Sequence, residues 1–206
     1  MIIGLVGFIG SGKGTVADIL THTHGFVKES FADAVKDAIA PIFGWERHLL
    51  EGDTPESRKW RESPDEWWSK KLGKPFSPRY ALQLMGTEAG RNVFHTDLWV
   101  LSLLRRIDPA KNYVIADVRF PNEIDLIREH GGTVIRVKRG DEPEWFSTAE
   151  AYNVSTNWDG SLQKMRDYPD VHYSEFAWIG KRMDDEINNS TTLDDLEKKV
   201  ARLMVN

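Results

Sequence analysis

Gly7-Phe8-Ile9-Gly10-Ser11-Gly12-Lys13-Gly14-Thr15 is the stretch on which the reading of the fold turns. It keeps the spacing G-x-x-x-x-G-K but places its hydroxyl residue, Thr15, one position later than directly after the lysine. Glycines reach positive φ and carry no Cβ, so successive N–H groups can point into one concavity sized for a phosphate. A helix starting near Lys13 adds unsatisfied N–H groups and the positive end of its dipole. Lys13 itself brings a mobile full charge for outer phosphates. Upstream, Ile2-Ile3-Gly4-Leu5-Val6 is a short apolar run; downstream, Val16, Ala17, Ile19 and Leu20 share one helical face that fades at Thr23-His24-Gly25. A strand, a glycine turn and a helix in that order open an α/β sheet.

The rest of the chain extends this pattern. Residues 26–31 read as a second strand, and 34–43 as a helix with Val35, Ala38, Ile39 and Ile42 inward. Residues 45–77 change character, with four tryptophans (Trp45, Trp60, Trp67, Trp68) among many charges, and read as an insertion over the core. Their indoles are expected to pack as a satellite cluster, with base stacking as the competing use. Pro78 opens a helix predicted over 79–93, and another follows over 97–107. Residues 112–116 form a buried strand ending at Asp117, 121–130 a helix stopped by Gly131-Gly132, and 133–138 the next strand. Residues 140–182, polar, aromatic and irregular, read as a lid-like flap. Ile187 closes a last short strand, and Leu193, Leu196, Val200 and Leu203 stripe a terminal helix.

Composition limits the partners. The 206 residues carry 27 Lys and Arg against 32 Asp and Glu, a net charge of −5, so no global basic field invites a nucleic-acid polymer. With 40% hydrophobic and 29% charged residues the chain is ordinary and globular, and no apolar run approaches the ~20 residues of a membrane span. No cysteine is present, which excludes disulfides, thiolate zinc sites and a catalytic thiol. The first residues lack the pattern of an export signal, so a cytoplasmic protein (host cytoplasm if phage-encoded) is expected.

The Gly-Lys-Gly-Thr form of the loop resembles that of adenylate-kinase-like nucleoside monophosphate kinases. It suggests Mg2+ held with ATP mainly by phosphates and water, with no dedicated protein metal site. Transfer of a phosphoryl group needs cations around it, and arginine grips two oxygens at once. Arg79 opens the helix bearing Gln83, Gly86-Thr87-Glu88 and Arg91. Arg119 follows Asp117 past a buried strand, and Arg139 ends the next strand. Such strand ends are where ligands bind in open parallel sheets. Lys36, on the second helix, is a further candidate.

Five segments in order resemble the bacteriophage deoxynucleoside monophosphate kinases, members of the P-loop nucleoside monophosphate kinase superfamily. They are the glycine loop; Phe31-Ala32-Asp33-Ala34-Val35-Lys36; Leu82-Gln83-Leu84-Met85-Gly86-Thr87-Glu88 with Trp99 beyond; Asp117-Val118-Arg119-Phe120-Pro121-Asn122-Glu123; and His172-Tyr173-Ser174-Glu175 before Ile187-Asn188-Asn189. The expectation is a single domain over 1–206 with a three-layer α/β/α parallel-sheet P-loop kinase fold. It would carry the 45–77 insertion, helical or irregular, near the monophosphate, and the 140–182 flap over ATP. The resemblance implies that Lys36, Arg79, Gln83, Gly86, Thr87, Trp99, Asp117 and Arg119 line a deoxynucleoside monophosphate (dNMP) site. Gly10, Ser11, Gly12, Lys13, Gly14 and Thr15 would bind ATP, with Arg139 facing its phosphates.

In this reading Lys13, Arg79, Arg119 and Arg139 neutralise charge during direct in-line transfer from ATP to the dNMP. Asp117 has several uses open to it: orienting Arg119, bonding the nucleotide, holding magnesium through water, or serving the fold alone. Trp99 is a candidate wall against the sugar, with a core role as the alternative. His22 and His24 are poorly spaced as a metal pair, His172-Tyr173-Ser174-Glu175 is assigned to flap structure, and Asp184-Asp185-Glu186 to a solvated surface. Competing functions are another small-molecule P-loop kinase, such as one for dephospho-coenzyme A, and a non-catalytic ATP-binding switch. A homodimer is left open, and base preference is not legible.

Overall fold

Strand β1 (Ile2–Val6) is buried at every position and lies at the centre of a five-stranded sheet. In the computed structural model, which describes residues 1–154 and 165–204, the strand order is β2-β3-β1-β4-β5 and every pairing is parallel. The other strands are β2 (Val27–Glu29), β3 (Tyr113–Ile115), β4 (Thr133–Lys138) and β5 (Asp185–Asn188). Ile3 of β1 stands level with Val114 of β3 and Thr133 of β4.

Alternation along β1 sends Ile3 and Leu5 to one face, where they meet Val16, Ala17 and Leu20 of α1 (Lys13–His24). Leu196 and Val200 of the terminal helix α10 (Leu193–Leu203) complete that layer. Gly4 faces the other way, beneath Ile127 of α7 (Pro121–Glu129), so helices cover both faces of the sheet. Parallel strands clad on both sides are nearly continuous apolar runs, which is why β1 and β3 carry no charged residue.

The chain divides into two compact units, residues 1–30 with 107–206, and residues 31–106. The sheet belongs to the first. The second is helical: α2 (Ala32–Phe43), a 3-10 turn (Arg47–Glu51), α3 (Pro55–Glu62), α4 (Glu66–Leu72), α5 (Pro78–Gln83), a π-helix (Leu84–Phe94) and α6 (Leu98–Arg106). Its core joins Ile39, Trp45, Leu50, Phe76 and Ala81, with Phe43, Trp60 and Trp68 packed against them. The indoles of Trp45 and Trp68 are engaged by Asp65 and by the Phe43 carbonyl at 2.9 Å each, so these rings form the satellite cluster expected of them. Trp67 alone of the four stays exposed.

Several elements differ from the sequence reading. The second strand is three residues rather than the whole of 26–31. The helix expected over 79–93 is α-helical only to Gln83, after Ser77 caps it by accepting from the Tyr80 N–H, and then widens into the π-helix. Residues 140–182, read as irregular, contain α8 (Phe146–Val154) and the one-turn helix α9 (Tyr173–Phe176) among the described residues; 155–164 lie outside them. Edge-on contact between Tyr152 and Phe176 and two bonds from the Asn153 amide to the Phe176 and Ile179 carbonyls tie α8 to the α9 segment. Asp184 is no mere surface charge: its carboxylate accepts from the Val134 N–H at 2.8 Å and pairs with Arg128.

Candidate functional site

The glycine loop leaves β1 at Val6 and enters α1 at Lys13, as its spacing requires. Gly7, Gly10 and Gly12 all hold positive φ. Gly12 has no substitute: its φ is 98° and a Cβ there would lie 2.1 Å from the Asn189 amide nitrogen. That amide donates to the Ser11 carbonyl at 2.9 Å, fixing the loop from the far edge of β5. Lys13 folds back over the loop, donating to the carbonyls of Gly7 (2.7 Å) and Phe8 (2.9 Å). The N–H groups of the first turn of α1 have no intrahelical acceptor and present the loop's concave side to an anion.

Burial, and then the nearby Arg119, lower the Lys13 ammonium to a pKa of about 8, against the opposing pull of Glu175 and Asp117. That balance records four charged groups gathered at the loop from distant parts of the chain. Asp117 lies just beyond β3, with its carboxylate accepting from the Ser30 hydroxyl at 2.7 Å. Arg119 has a fixed backbone: its N–H and that of Phe120 both donate to the buried Glu123 carboxylate, at 2.6 and 3.0 Å. Its guanidinium donates to Glu175 at 3.1 Å. Arg139 is exposed immediately after β4.

Behind the loop lies an aromatic wall. The Phe8 ring meets Trp145, Phe146 and Trp178 at 5.4, 6.1 and 5.3 Å. Arg136 of β4 backs that wall, 5.2 Å from both the Phe146 and the Trp178 ring, with both Glu142 oxygens bonded at 2.7 Å.

The second unit holds the other candidates. Lys36 is buried and binds Glu51 at 2.6 Å and Asp33 at 3.2 Å, in a network that Arg47 joins through Asp33, Asp37 and Glu51. Arg79, on the first turn of α5, pairs with Glu62 at 3.3 Å. Gln83 ends α5, and Gly86 and Thr87 lie in the π-helix. Trp99 is 7% exposed; its indole N–H donates to the Gly86 carbonyl at 2.8 Å, and its ring occupies the space where Gly90 has no Cβ. π-Helical turns are rare and concentrate at functional sites.

A sequence model described as deoxynucleotide monophosphate kinase matches residues 56–149. A protein of Acanthamoeba polyphaga mimivirus, named as a deoxynucleotide monophosphate kinase, is 36% identical over 153 residues, 68% of this chain and 74% of its own. The chain belongs to the deoxynucleotide monophosphate kinase family. It is a kinase. The deoxynucleoside-5'-monophosphate kinase of Escherichia phage T5 is 51% identical over 55 residues, 26% of this chain and 22% of that one. Among solved structures, shikimate kinase from Aquifex aeolicus vf5 is similar with a TM-score of 0.45 at 11% identity, over 100% of this chain and 96% of that one.

Of the residues singled out in sequence, the kinase brings Lys13, Asp117 and Arg119 together in its first unit. In the second it joins Gly86 to Trp99. Glu123, Asn189, Glu175 and Arg136 escaped as functional candidates. Three of these four lie within the segments that carry the family resemblance; Arg136, in mid-strand, had no local signal.

Proposed function

We propose that this kinase transfers the γ-phosphoryl group of ATP to a deoxynucleoside monophosphate, giving ADP and the deoxynucleoside diphosphate. The observation that carries the reading is Lys13 folded over the glycine loop, with Arg119 anchored just past β3 and near enough to act on its charge. An oxygen of the acceptor phosphate attacks in line, a bond to the γ-phosphorus forms as the bond to the ADP oxygen breaks, and no phosphoenzyme is needed. The protein's task is to position the reactants and neutralise charge.

In the first unit, residues 10–15 cradle the ATP phosphates, Lys13 moves from its two carbonyls onto the outer phosphates, and Arg119 and Arg139 meet charge as it develops. Magnesium would be held mainly by the ATP phosphates and water, with the Asp117 carboxylate reaching it through a water. Magnesium bound with ATP supplies further charge neutralisation on the phosphates. In the second unit, acceptor binding is assigned to Arg79, Gln83, Gly86, Thr87, Trp99 and Lys36, Trp99 acting through the Gly86 carbonyl it holds.

The deciding experiment measures ADP release from ATP with each deoxynucleoside monophosphate, each ribonucleotide and dephospho-coenzyme A as acceptor. Turnover dependent on a deoxynucleoside monophosphate and abolished in Lys13→Ala supports the reading. Turnover only with dephospho-coenzyme A, or ATP binding with no acceptor-dependent turnover, overturns it.

A further inference from the structure

Sequence places Glu175 in a flap, yet it reaches Arg119 across 56 positions. Its backbone is fixed. It lies in α9, whose first turn is capped by the His172 ring accepting from the Ser174 N–H. Its own carbonyl accepts from the Trp178 indole at 3.1 Å, and the Trp178 ring rests 5.3 Å from that of Phe8 in the glycine loop. The segment bearing Glu175 is therefore registered against the loop itself. Arg119 is anchored at the other end, through the two N–H bonds to Glu123. Between these anchors the arginine's side chain is 40% exposed, against 17% for Glu175.

We propose that Glu175 is a positioning residue for phosphoryl transfer, holding the Arg119 guanidinium beside Lys13 in the free enzyme and releasing part of its grip to an incoming phosphate. A guanidinium presents five N–H donors, so a carboxylate that takes one edge leaves others for phosphate oxygens. The Glu175 charge also opposes the effect of Arg119 on the Lys13 ammonium. This inference rests on the reading of Arg119 as a transfer residue.

The test is a double-mutant cycle in the full chain. Glu175→Gln keeps the shape and removes the charge. It is expected to lower kcat about tenfold without raising KM for either nucleotide, since losing an anion beside a phosphate site does not weaken phosphate binding. Glu175→Asp, which keeps the charge, should recover kcat to within about threefold of wild type. The double variant with Arg119→Gln should match Arg119→Gln alone to within about twofold, because Glu175 has nothing left to position. Thermal unfolding of each variant separates this from a packing defect, and if Glu175→Gln does not fold, Glu175→Ala with and without Arg119→Gln runs the same cycle. Wild-type kcat in Glu175→Gln, or losses that multiply in the double variant, would overturn the positioning role. Wild-type kcat in Arg119→Gln would instead bring down the assignment of Arg119 itself.

Discussion

Asn189 and Ser11 are joined by a 2.9 Å hydrogen bond across 178 positions of sequence, from the asparagine amide to the carbonyl at the crown of the glycine loop. The Asn189 backbone is held in turn, its N–H donating to the Lys138 carbonyl at 2.7 Å as β5 leaves the sheet. The loop's shape is thus set by a strand at the opposite end of the chain as well as by its own glycines. Asn189→Ala should release the Ser11 carbonyl and let the N–H groups of the loop turn out of register. A net hydrogen bond is worth about 1 kcal/mol, so KM for ATP is expected to rise between about threefold and tenfold while kcat stays within about twofold. Steady-state kinetics against ATP checks this, and an unchanged KM would remove Asn189 from the loop's support.

Lys13 gives a pH dependence with a definite sign. Its pKa is lowered to about 8, chiefly by burial and next by Arg119, from an ordinary value of 10.5. A lysine with a depressed folded pKa binds fewer protons folded than unfolded as pH rises from 8 to 10.5, so protein stability should increase across that window. Nucleotide binding should do the opposite: the charged form is the one that meets phosphate, and affinity falls as pH climbs through 8. Phosphate drawn to Lys13 restores its proton, so calorimetry at pH 8 in buffers of different ionisation enthalpy should show proton uptake on ATP binding. Uptake that persists in Lys13→Met would mean that another group titrates.

Trp99 connects the π-helix to the helix that follows. With its ring buried and its indole on the Gly86 carbonyl, it acts as a strut inside the second unit. Trp99→Phe keeps most of the ring but leaves that carbonyl without its donor, at a cost of about 1–3 kcal/mol. The expected result is a Tm lowered by several degrees, together with a raised KM for the acceptor. Thermal unfolding and the acceptor KM are the two readouts, and a Tm equal to wild type would show that the bond contributes nothing.

What could be read from sequence was local. The glycine loop, β1 and the start of α1 are adjacent in the chain, so Lys13 and its concavity were visible from spacing alone. Asp117 and Arg119 are visible because an apolar run ends directly before Asp117, with Arg119 two residues on. The π-helix was not, because its wider turns accompany a contact from outside the segment. The widening accompanies Trp99, a partner from the next helix. Helix α8 was missed for the opposite reason: Phe146–Val154 buries only Ala149 fully and shows no apolar stripe, its place being fixed by contacts with residues near 176. Nothing local marks Glu175 as functional, because its partner lies 56 positions away.

Arg136 offers the sharpest separation of packing from charge. It is held by both oxygens of Glu142 at 2.7 Å and by Glu186 at 3.4 Å, and it backs the Phe146 and Trp178 rings that flank Phe8. Glu142 is held below its usual carboxylate range: partial burial pushes it upward, but Lys138 and Arg136 outweigh that effect. A carboxyl group depressed in this way contributes stability above its unfolded pKa of about 4.5 and loses it as pH falls through the folded value. Arg136→Met keeps length and apolar contact with the rings while stripping the cation. It should destabilise the fold by about 1–3 kcal/mol at neutral pH, because Glu142 is left partly buried with Lys138 as its cation among the described residues. The deficit should shrink toward pH 3 as Glu142 protonates. Arg136→Lys should restore part of the charge but not the two-pronged grip or the stacking. Urea unfolding of wild type, Arg136→Met and Arg136→Lys from pH 3 to 8 measures all three effects, and a deficit for Arg136→Met that does not vary with pH would assign the residue to packing alone.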